Sequence, residues 1–313
     1  MNLRPIIFDC DPGIDDAVAL LMAFAHPEKF KFLGITTVAG NVSVSKTALN
    51  ALKICELAGR EDVPVYEGCS RPLIKDMRLD GEFIHGSSGL EGSNLPVPKG
   101  GVQRQHAVDF IIDTLMSATE KVTLVITGPQ TNIAMALVKE PRIVENIAEI
   151  VFMGGALAES NITPSAEFNI FWDPHAAHVV LTCGVPKVMI GLDVTHQLVA
   201  TAGRMNALKA IKNKQALTVY EMLSFSGIYD IKRYGLGGGL VHDAAVVAYL
   251  LKPEIFKGRD VHVEVELSGL IAMGRTVIDW YSLKQMSPNV KVMRDVEENA
   301  FFDLLTSCLQ WYS

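Results

Sequence analysis

Ile6-Ile7-Phe8-Asp9-Cys10-Asp11-Pro12-Gly13-Ile14-Asp15-Asp16 sets an apolar run against four carboxylates within eight residues, with a Pro-Gly turn between the two pairs. Apolar character returns at once over residues 17–25. Like charges this close repel, and burying any of them without a partner is costly. Ordinary helix N-terminal carboxylates are neither this dense nor built around such a turn. A cation that holds several of them together resolves the conflict. Oxygen donors of this kind suit Ca²⁺ or Mg²⁺ rather than zinc.

The chain beyond this turn alternates between two periods. Residues 5–9, 32–38 and 63–66 read as strands, and 16–25 and 43–58 as helices, with Ser43 an N-cap for the latter. Residues 122–127, 149–153 and 187–192 are continuously apolar, as strands buried on both faces are. Helical patterns cover 131–139, 174–183, 215–223 and 241–251, the last ended by Pro253. The expected fold class is therefore α/β: a mostly parallel twisted central sheet with helices on both faces. Residues 261–267, 276–280 and 289–293 predict a small antiparallel addition near the C-terminus, and 298–310 a final helix. No repeat or interdomain linker interrupts the pattern, so residues 1–313 read as a single domain. Two segments rich in small residues, 75–101 and 226–239, read as functional loops.

Charge narrows the function. A formal net charge of −7 disfavours nucleic acid or an anionic membrane as partner, and no cluster of Lys and Arg stands ready for polyphosphate. Five scattered cysteines without a CxxC pair suit a reducing compartment. Neither a signal-peptide core nor an apolar run of membrane length is visible, so a soluble, cytoplasmic protein is expected.

Ligands of parallel α/β sheets bind at the carboxyl ends of the strands. Asp11, Asp15 and Asp16 follow the first strand, Asn41 the second, Thr127 a central one, Met153 the next and Asp193 the one after. Asp243 opens a helix behind a glycine-rich stretch. One sheet edge could gather several carboxylates and a free backbone carbonyl.

These residues carry a resemblance. Residues 9–17, Asp-Cys-Asp-Pro-Gly-Ile-Asp-Asp-Ala, match the DxDPGxDDA signature of the inosine–uridine nucleoside hydrolase family in full. Val38-Ala39-Gly40-Asn41, Ile84-His85-Gly86, Thr127-Gly128-Pro129-Gln130-Thr131-Asn132, Met153-Gly154-Gly155, Ala166-Glu167-Phe168-Asn169 and His242-Asp243 resemble further family blocks in the same order. The resemblance implies hydrolysis of the N-glycosidic bond of ribonucleosides, for nucleobase salvage. It implies Ca²⁺ held by Asp11, Asp16 and Asp243 and by the Thr127 carbonyl, with the ribose 2′- and 3′-hydroxyls and a water completing the shell. Asp11 would be the general base, and Asp15, Asn41, Met153, Asn161, Glu167, Phe168 and Asn169 would contact substrate. His242 is the best candidate acid for the leaving base, with His85, Tyr229 and Tyr234 in segments able to close over it. The implied partner is a small nucleoside, and the implied assembly a homodimer or homotetramer.

Charge logic agrees with that chemistry. Breaking the C1′–N bond leaves an oxocarbenium-like, positive sugar, which a carboxylate-rich pocket favours. Purine-specific relatives are expected to sandwich the base between tryptophans. Trp172, Trp280 and Trp311 fall in neither loop, so a broad or pyrimidine-tolerant enzyme acting on uridine, cytidine and inosine is expected. Two alternatives compete: a nucleoside- or ribose-binding module without turnover, and a phosphatase of the haloacid-dehalogenase type, suggested by Asp9-x-Asp11. The second fits poorly, because Pro12 and Gly13 occupy the loop and Asp15-Asp16 would repel phosphate.

Overall fold

The structure, a computed structural model, describes residues 3–76 and 82–313. Strand β1 (Arg4–Cys10), helix α1 (Ile14–Phe24), β2 (Phe30–Thr37), α2 (Val44–Ala58) and β3 (Val65–Glu67) come first. Short α3 (Glu82–His85) and α4 (Ala107–Met116) lead into β4 (Val122–Ile126), α5 (Thr131–Lys139) and β5 (Ile147–Met153). Then follow α6 (Phe168–Trp172), α7 (Pro174–Thr182), β6 (Lys187–Ile190), α8 (Leu192–Thr195), β7 (Val199–Thr201) and α9 (Ala202–Ala210). The remainder is α10 (Lys214–Tyr234), β8 (Gly238–Leu240), α11 (Ala244–Leu251), β9 (Phe256–Val265), β10 (Thr276–Asp279), β11 (Val290–Val296) and α12 (Glu298–Gln310).

Nine strands form one sheet in the order β10-β9-β11-β6-β5-β4-β1-β2-β3. Every pairing from β3 across to β11 is parallel, and β9 runs antiparallel to both β11 and β10. The antiparallel pairing near the C-terminus is thus as expected, and β11 adds to it a parallel neighbour. Residues 289–293 belong to β11, which continues the parallel sheet beside β6, because β11 is inserted between β6 and the earlier β9.

Strand β1 shows why the central runs carry no polar alternation. Ile6, Phe8 and Cys10 pack into one core with α1, α11 and α12, while Ile7 packs into a second with α4, α5 and α7. Both faces of the strand are covered, so the run Ile6-Ile7-Phe8 is apolar throughout, and the buried Asp9 that follows it is met by donors from Thr36 and Asn132. All of α1 is buried, which its unbroken run of apolar residues after Asp16 permits.

The strand order reverses between β1 and β4: the chain moves outward through β2 and β3, then returns to lay β4 on the other side of β1. Loops leaving β1 and β4 therefore diverge, and a crevice opens at their carboxyl ends. The acidic turn leaves β1 and Thr127 leaves β4, so the two enter the same crevice.

One expected loop is instead helix. Residues 226–234 continue α10, which ends where Gly235 takes a left-handed conformation with φ 68°. Gly227 resembles a loop signal in the sequence, yet it serves packing. A Cβ there would lie 3.3 Å from the Gly239 backbone, so the glycine pair lets α10 approach β8 closely. Strand β8 pairs antiparallel with β7 in a separate small sheet. Of the other expected loop, residues 77–81 lie outside the described residues. Among the described residues no helix is long and apolar enough to cross a membrane.

Candidate active site

The crevice deepens into a pocket whose empty space, open solvent at the mouth included, is about 670 Å³. Its floor is the acidic turn. Asp11 and Asp16 have no exposed surface, and Asp15 and Asp243 are buried. Asp16 organises the turn: Oδ2 accepts the Gly13 N–H at 3.1 Å and the Asn41 Nδ2 at 3.2 Å, while Oδ1 accepts the Thr127 hydroxyl at 2.7 Å. Three separate loops are tied to one carboxylate.

Asp11 is held differently. Its Oδ2 accepts the Asn41 backbone N–H at 2.7 Å, and its Oδ1 is buried with no hydrogen bond. Glycines on both sides make this possible. A Cβ on Gly40 would stand 2.0 Å from Asp11 Oδ2, and one on Gly128 2.5 Å from Oδ1. Asp15 Oδ1 is likewise buried and unpaired.

Burial is the main reason that Asp11, Asp15, Asp16 and Asp243 all have proton affinities above the usual carboxylate range. Their mutual repulsion adds to it, except at Asp16, where hydrogen bonds oppose it. Asp16 and Asp243 also share a hydrogen bond, which opposes the rise at Asp16 and adds to the rise that burial and the other aspartates cause at Asp243. Behind the turn, Asp9 is pushed to about 7 by burial, although Thr36 and Asn132 donate to it. Among the described residues lining the pocket there is no Lys or Arg.

That environment fits a divalent cation. It offers hard oxygen donors, two buried oxygens with no donor and no competing basic side chain. Among the described residues no group of three or more His, Cys, Asp or Glu side chains is arranged to hold a metal ion. Asp16 and Asp243 pair with each other instead, and a bound cation would have to displace the proton they share.

The walls come from other elements. Asn169, on α6, donates Nδ2 to the Thr127 carbonyl at 2.8 Å, tying α6 to the end of β4. Glu167 caps α6, accepting the N–H groups of Asn169, Ile170 and Gly155. Asn161 Oδ1 accepts the Phe168 N–H, which leaves its Nδ2 for the pocket. Met153 lines the floor beside them. Asp193 does not line the pocket; it accepts the N–H groups of Leu157 and Ala158 and so anchors the loop that carries Asn161.

Two histidines, His85 and His242, line the pocket. His85 Nδ1 accepts the Ile14 N–H at 3.1 Å, so the ring proton sits on Nε2. Burial pushes its pKa down to about 4. His242 Nδ1 shares a hydrogen bond with the Thr195 hydroxyl at 2.8 Å, leaving Nε2 for the pocket. Burial, then the neighbouring His196 and His85, push His242 to about 3.

Asp15, Asn41, His85, Thr127, Met153, Asn161, Glu167, Phe168, Asn169, His242 and Asp243 all line this pocket, and Asp11 and Asp16 lie in the turn that forms its floor. Tyr229 and Tyr234 do not line it. Both sit on α10, whose helical twist turns other residues inward. Tyr229 hydrogen-bonds Arg233, and Tyr234 packs its ring 5.2 Å from that of His196. The inward residues are Ser226 and Asp230, one turn apart; together with Ile84 and Ile162 they complete the lining. The sequence signal for the pair was an i, i+4 polar spacing, hidden by reading Gly227 as a loop residue.

Glu167 gives a test of this burial. Its pKa is raised to about 7 from a free value of 4.5, chiefly by burial. The native state keeps a proton that the unfolded chain releases above 4.5, so this stabilisation is complete below that pH and is lost as pH rises through 7. The parent's unfolding free energy is expected to fall by about 2–3 kcal/mol more than that of Glu167→Gln between pH 4.5 and 8. Denaturant titrations at both ends of that range check it; parallel profiles would contradict it.

The family model described as inosine-uridine preferring nucleoside hydrolase matches residues 6–303. A Schizosaccharomyces pombe protein is 45% identical over 302 residues, 96% of this chain and 97% of its own. The pyrimidine-specific ribonucleoside hydrolase RihA of Enterobacter sp. is 43% identical over 310 residues, covering 99% of this chain and 98% of that one. Among solved structures, the purine-preferring ribonucleoside hydrolase from Gardnerella vaginalis superposes with a TM-score of 0.91 at 33% identity, covering 98% of each chain. A sheet with its crevice at the β1–β4 reversal and a match along nearly the whole chain lead to one conclusion: the protein is an N-glycosidase of the inosine–uridine preferring nucleoside hydrolase family.

Proposed function

We propose that this chain hydrolyses ribonucleosides to ribose and free base in a Ca²⁺-dependent reaction, accepting uridine, cytidine and inosine. The observation that carries the reading is the acidic turn, where two buried carboxylates keep an unpaired oxygen, Asp15 lining the cavity and Asp11 buried beneath it, with no basic side chain among the described lining residues. The carboxylates of Asp11, Asp16 and Asp243 and the Thr127 carbonyl would hold the cation. Bound there, Ca²⁺ would grip the ribose 2′,3′-diol and acidify a water.

The chain's own groups do the rest. Asp11 takes the water proton on Oδ1, the oxygen no hydrogen bond occupies. The water oxygen bonds C1′ as the C1′–N bond breaks, and that bond's electron pair leaves with the base. Remaining carboxylates favour the positive charge that develops on the sugar. Asp15, Asn41, Asn161, Glu167 and Asn169 position the ribose. His242, its ring held by Thr195, supplies the hydrogen bond that the departing base needs, and His85 offers a second N–H.

A broad or pyrimidine-tolerant choice of base is supported by the lining. Ile84, Ile162 and Phe168 provide its apolar walls, and no tryptophan is among the described lining residues. Trp172 is buried behind Phe168, with ring centroids 5.8 Å apart. RihA relatives are named as pyrimidine-specific, which points the same way. One continuous sheet takes strands from both ends of the chain, in keeping with a single domain. Assembly into a dimer or tetramer belongs to the same reading, and the exposed Leu270, Ile271 and Leu283 offer apolar surface for it.

The test is release of free ribose from uridine, cytidine, inosine and adenosine before and after chelation. EDTA is expected to lower turnover by roughly 10²-fold or more, since a bound metal contributes several kcal/mol to such a transition state, and Ca²⁺ to restore it. Full activity after exhaustive chelation would rule out the cation. Nucleoside binding with no ribose released would favour a binding module.

A further inference from the structure

Ser226 and Asp230 enter the pocket from α10 rather than from the strand ends that carry the proposed ribose and cation groups, and Asp230 lies near enough to Asp15 for the two carboxylates to repel. Neither belongs to the acidic turn or to the motifs of the sheet edge. Their hydrogen bonds define what they can offer a ligand. Asp230 Oδ2 accepts the Leu240 N–H at 2.9 Å, which fixes the carboxyl group. Among the described residues no donor reaches its Oδ1. Ser226 gives its hydroxyl proton to the Met222 carbonyl one turn back, at 3.4 Å, so its lone pairs are what remain for the pocket. Residues four apart on a helix are neighbours on one face. This wall therefore shows two acceptors, one turn apart.

His85, on α3, which packs against α10, has the reverse polarity. Its Nδ1 is occupied as an acceptor, so Nε2 presents an N–H. A base in this part of the pocket meets one donor and two acceptors.

We propose that Ser226 and Asp230 read an exocyclic amino group on the base, making the enzyme selective for amino-bearing nucleosides, with cytidine favoured over uridine. This rests on the nucleoside-hydrolysis reading above. An amino group has two N–H donors in one plane, enough for both acceptors on α10. A keto oxygen at the same ring position sets acceptor against acceptor in a buried site, where a polar group without a partner is costly. The imide N–H of a keto base does not repair this, because it is flanked by carbonyl oxygens facing the same wall. Burial raises the proton affinity of Asp230, and the Leu240 N–H and then Arg233, one turn beyond it and outside the pocket lining, oppose that rise.

The experiment compares kcat/KM for cytidine and uridine in the parent, Asp230→Asn and Ser226→Ala. Asparagine suits the first site, because its oxygen can keep the Leu240 N–H while its NH₂ replaces the free acceptor. The parent is expected to prefer cytidine by roughly tenfold to a hundredfold, the size of one lost charge-assisted hydrogen bond. Asp230→Asn should cancel or invert that ratio, with the uridine rate falling less than the cytidine rate. Ser226→Ala should reduce the ratio, and it decides the matter should the Asp230 variant fail to fold. A parent ratio near one, or a ratio unchanged in the folded variants, overturns the proposal. Nitrophenyl riboside, whose leaving group has no amino edge, separates the two readings. If the parent cleaves neither it nor any nucleoside, the hydrolysis reading itself fails; if it cleaves the riboside and the ratio is flat, only the Asp230 assignment falls.

Discussion

Asp11→Asn is expected to keep the fold and lose turnover by roughly 10²- to 10⁴-fold, the contribution typical of a positioned general base. The two side chains are nearly the same shape. An asparagine oxygen can keep the Asn41 N–H that Asp11 Oδ2 accepts at 2.7 Å. The change falls on the other atom, where an amide nitrogen replaces Oδ1 and has no lone pair with which to take a proton from water. That oxygen is buried and unpaired in the structure, so no existing hydrogen bond is broken by the exchange. Removing one charge from a repelling cluster also eases the cost of burial, so thermal stability without cation should hold or rise. Ribose release in single-turnover mode, Ca²⁺ titration by calorimetry and a thermal melt separate the effects. A variant that turns over at the parent rate would falsify the assignment of Asp11 as base.

How far the sequence foretold this site depends on what each residue does. The acidic turn was legible because its chemistry is local: four carboxylates cannot be buried together without an explanation, whatever the rest of the chain does. The central strands were legible because a run such as Ile6-Ile7-Phe8 must face two cores. Asp230 was not. Its place depends on helix α10 continuing past Gly227, which follows from a contact with Gly239 that no local pattern reveals. The same contact rotates Tyr229 and Tyr234 away from the pocket. The parallel pairing of strand β11 escaped for a similar reason, since its partner β6 lies about a hundred residues away in sequence, at Lys187–Ile190. Local chemistry and local period are written in short stretches; the choice of neighbour is not.

Gly40→Ala and Gly128→Ala should be as damaging to turnover as many direct substitutions in the site, though neither residue has a side chain to contribute. The new methyl group would lie 2.0 Å from Asp11 Oδ2 in the first and 2.5 Å from Oδ1 in the second. Neither distance can be tolerated, and the immovable partners differ. At Gly40 the nearest heavy atoms beyond the Asp11 carboxylate are those of Pro129, whereas at Gly128 the Asp11 backbone nitrogen lies 2.9 Å away. Gly40→Ala can be relieved by rotating the Asp11 side chain; Gly128→Ala must move the β1 backbone as well. Displacing a reacting group by about 1 Å costs on the order of 10²-fold in rate. Forcing a methyl into a closed space costs about 1–3 kcal/mol in stability. Gly40→Ala should therefore lose roughly 10²-fold in kcat with a small drop in melting temperature, and Gly128→Ala should show both losses. Gly203→Ala is the control, since no described atom lies within 4 Å of its added Cβ and helix α9 favours alanine. If Gly128→Ala matched that control in both rate and melting temperature, the close backbone cradle around Asp11 would have no part in holding the base in place.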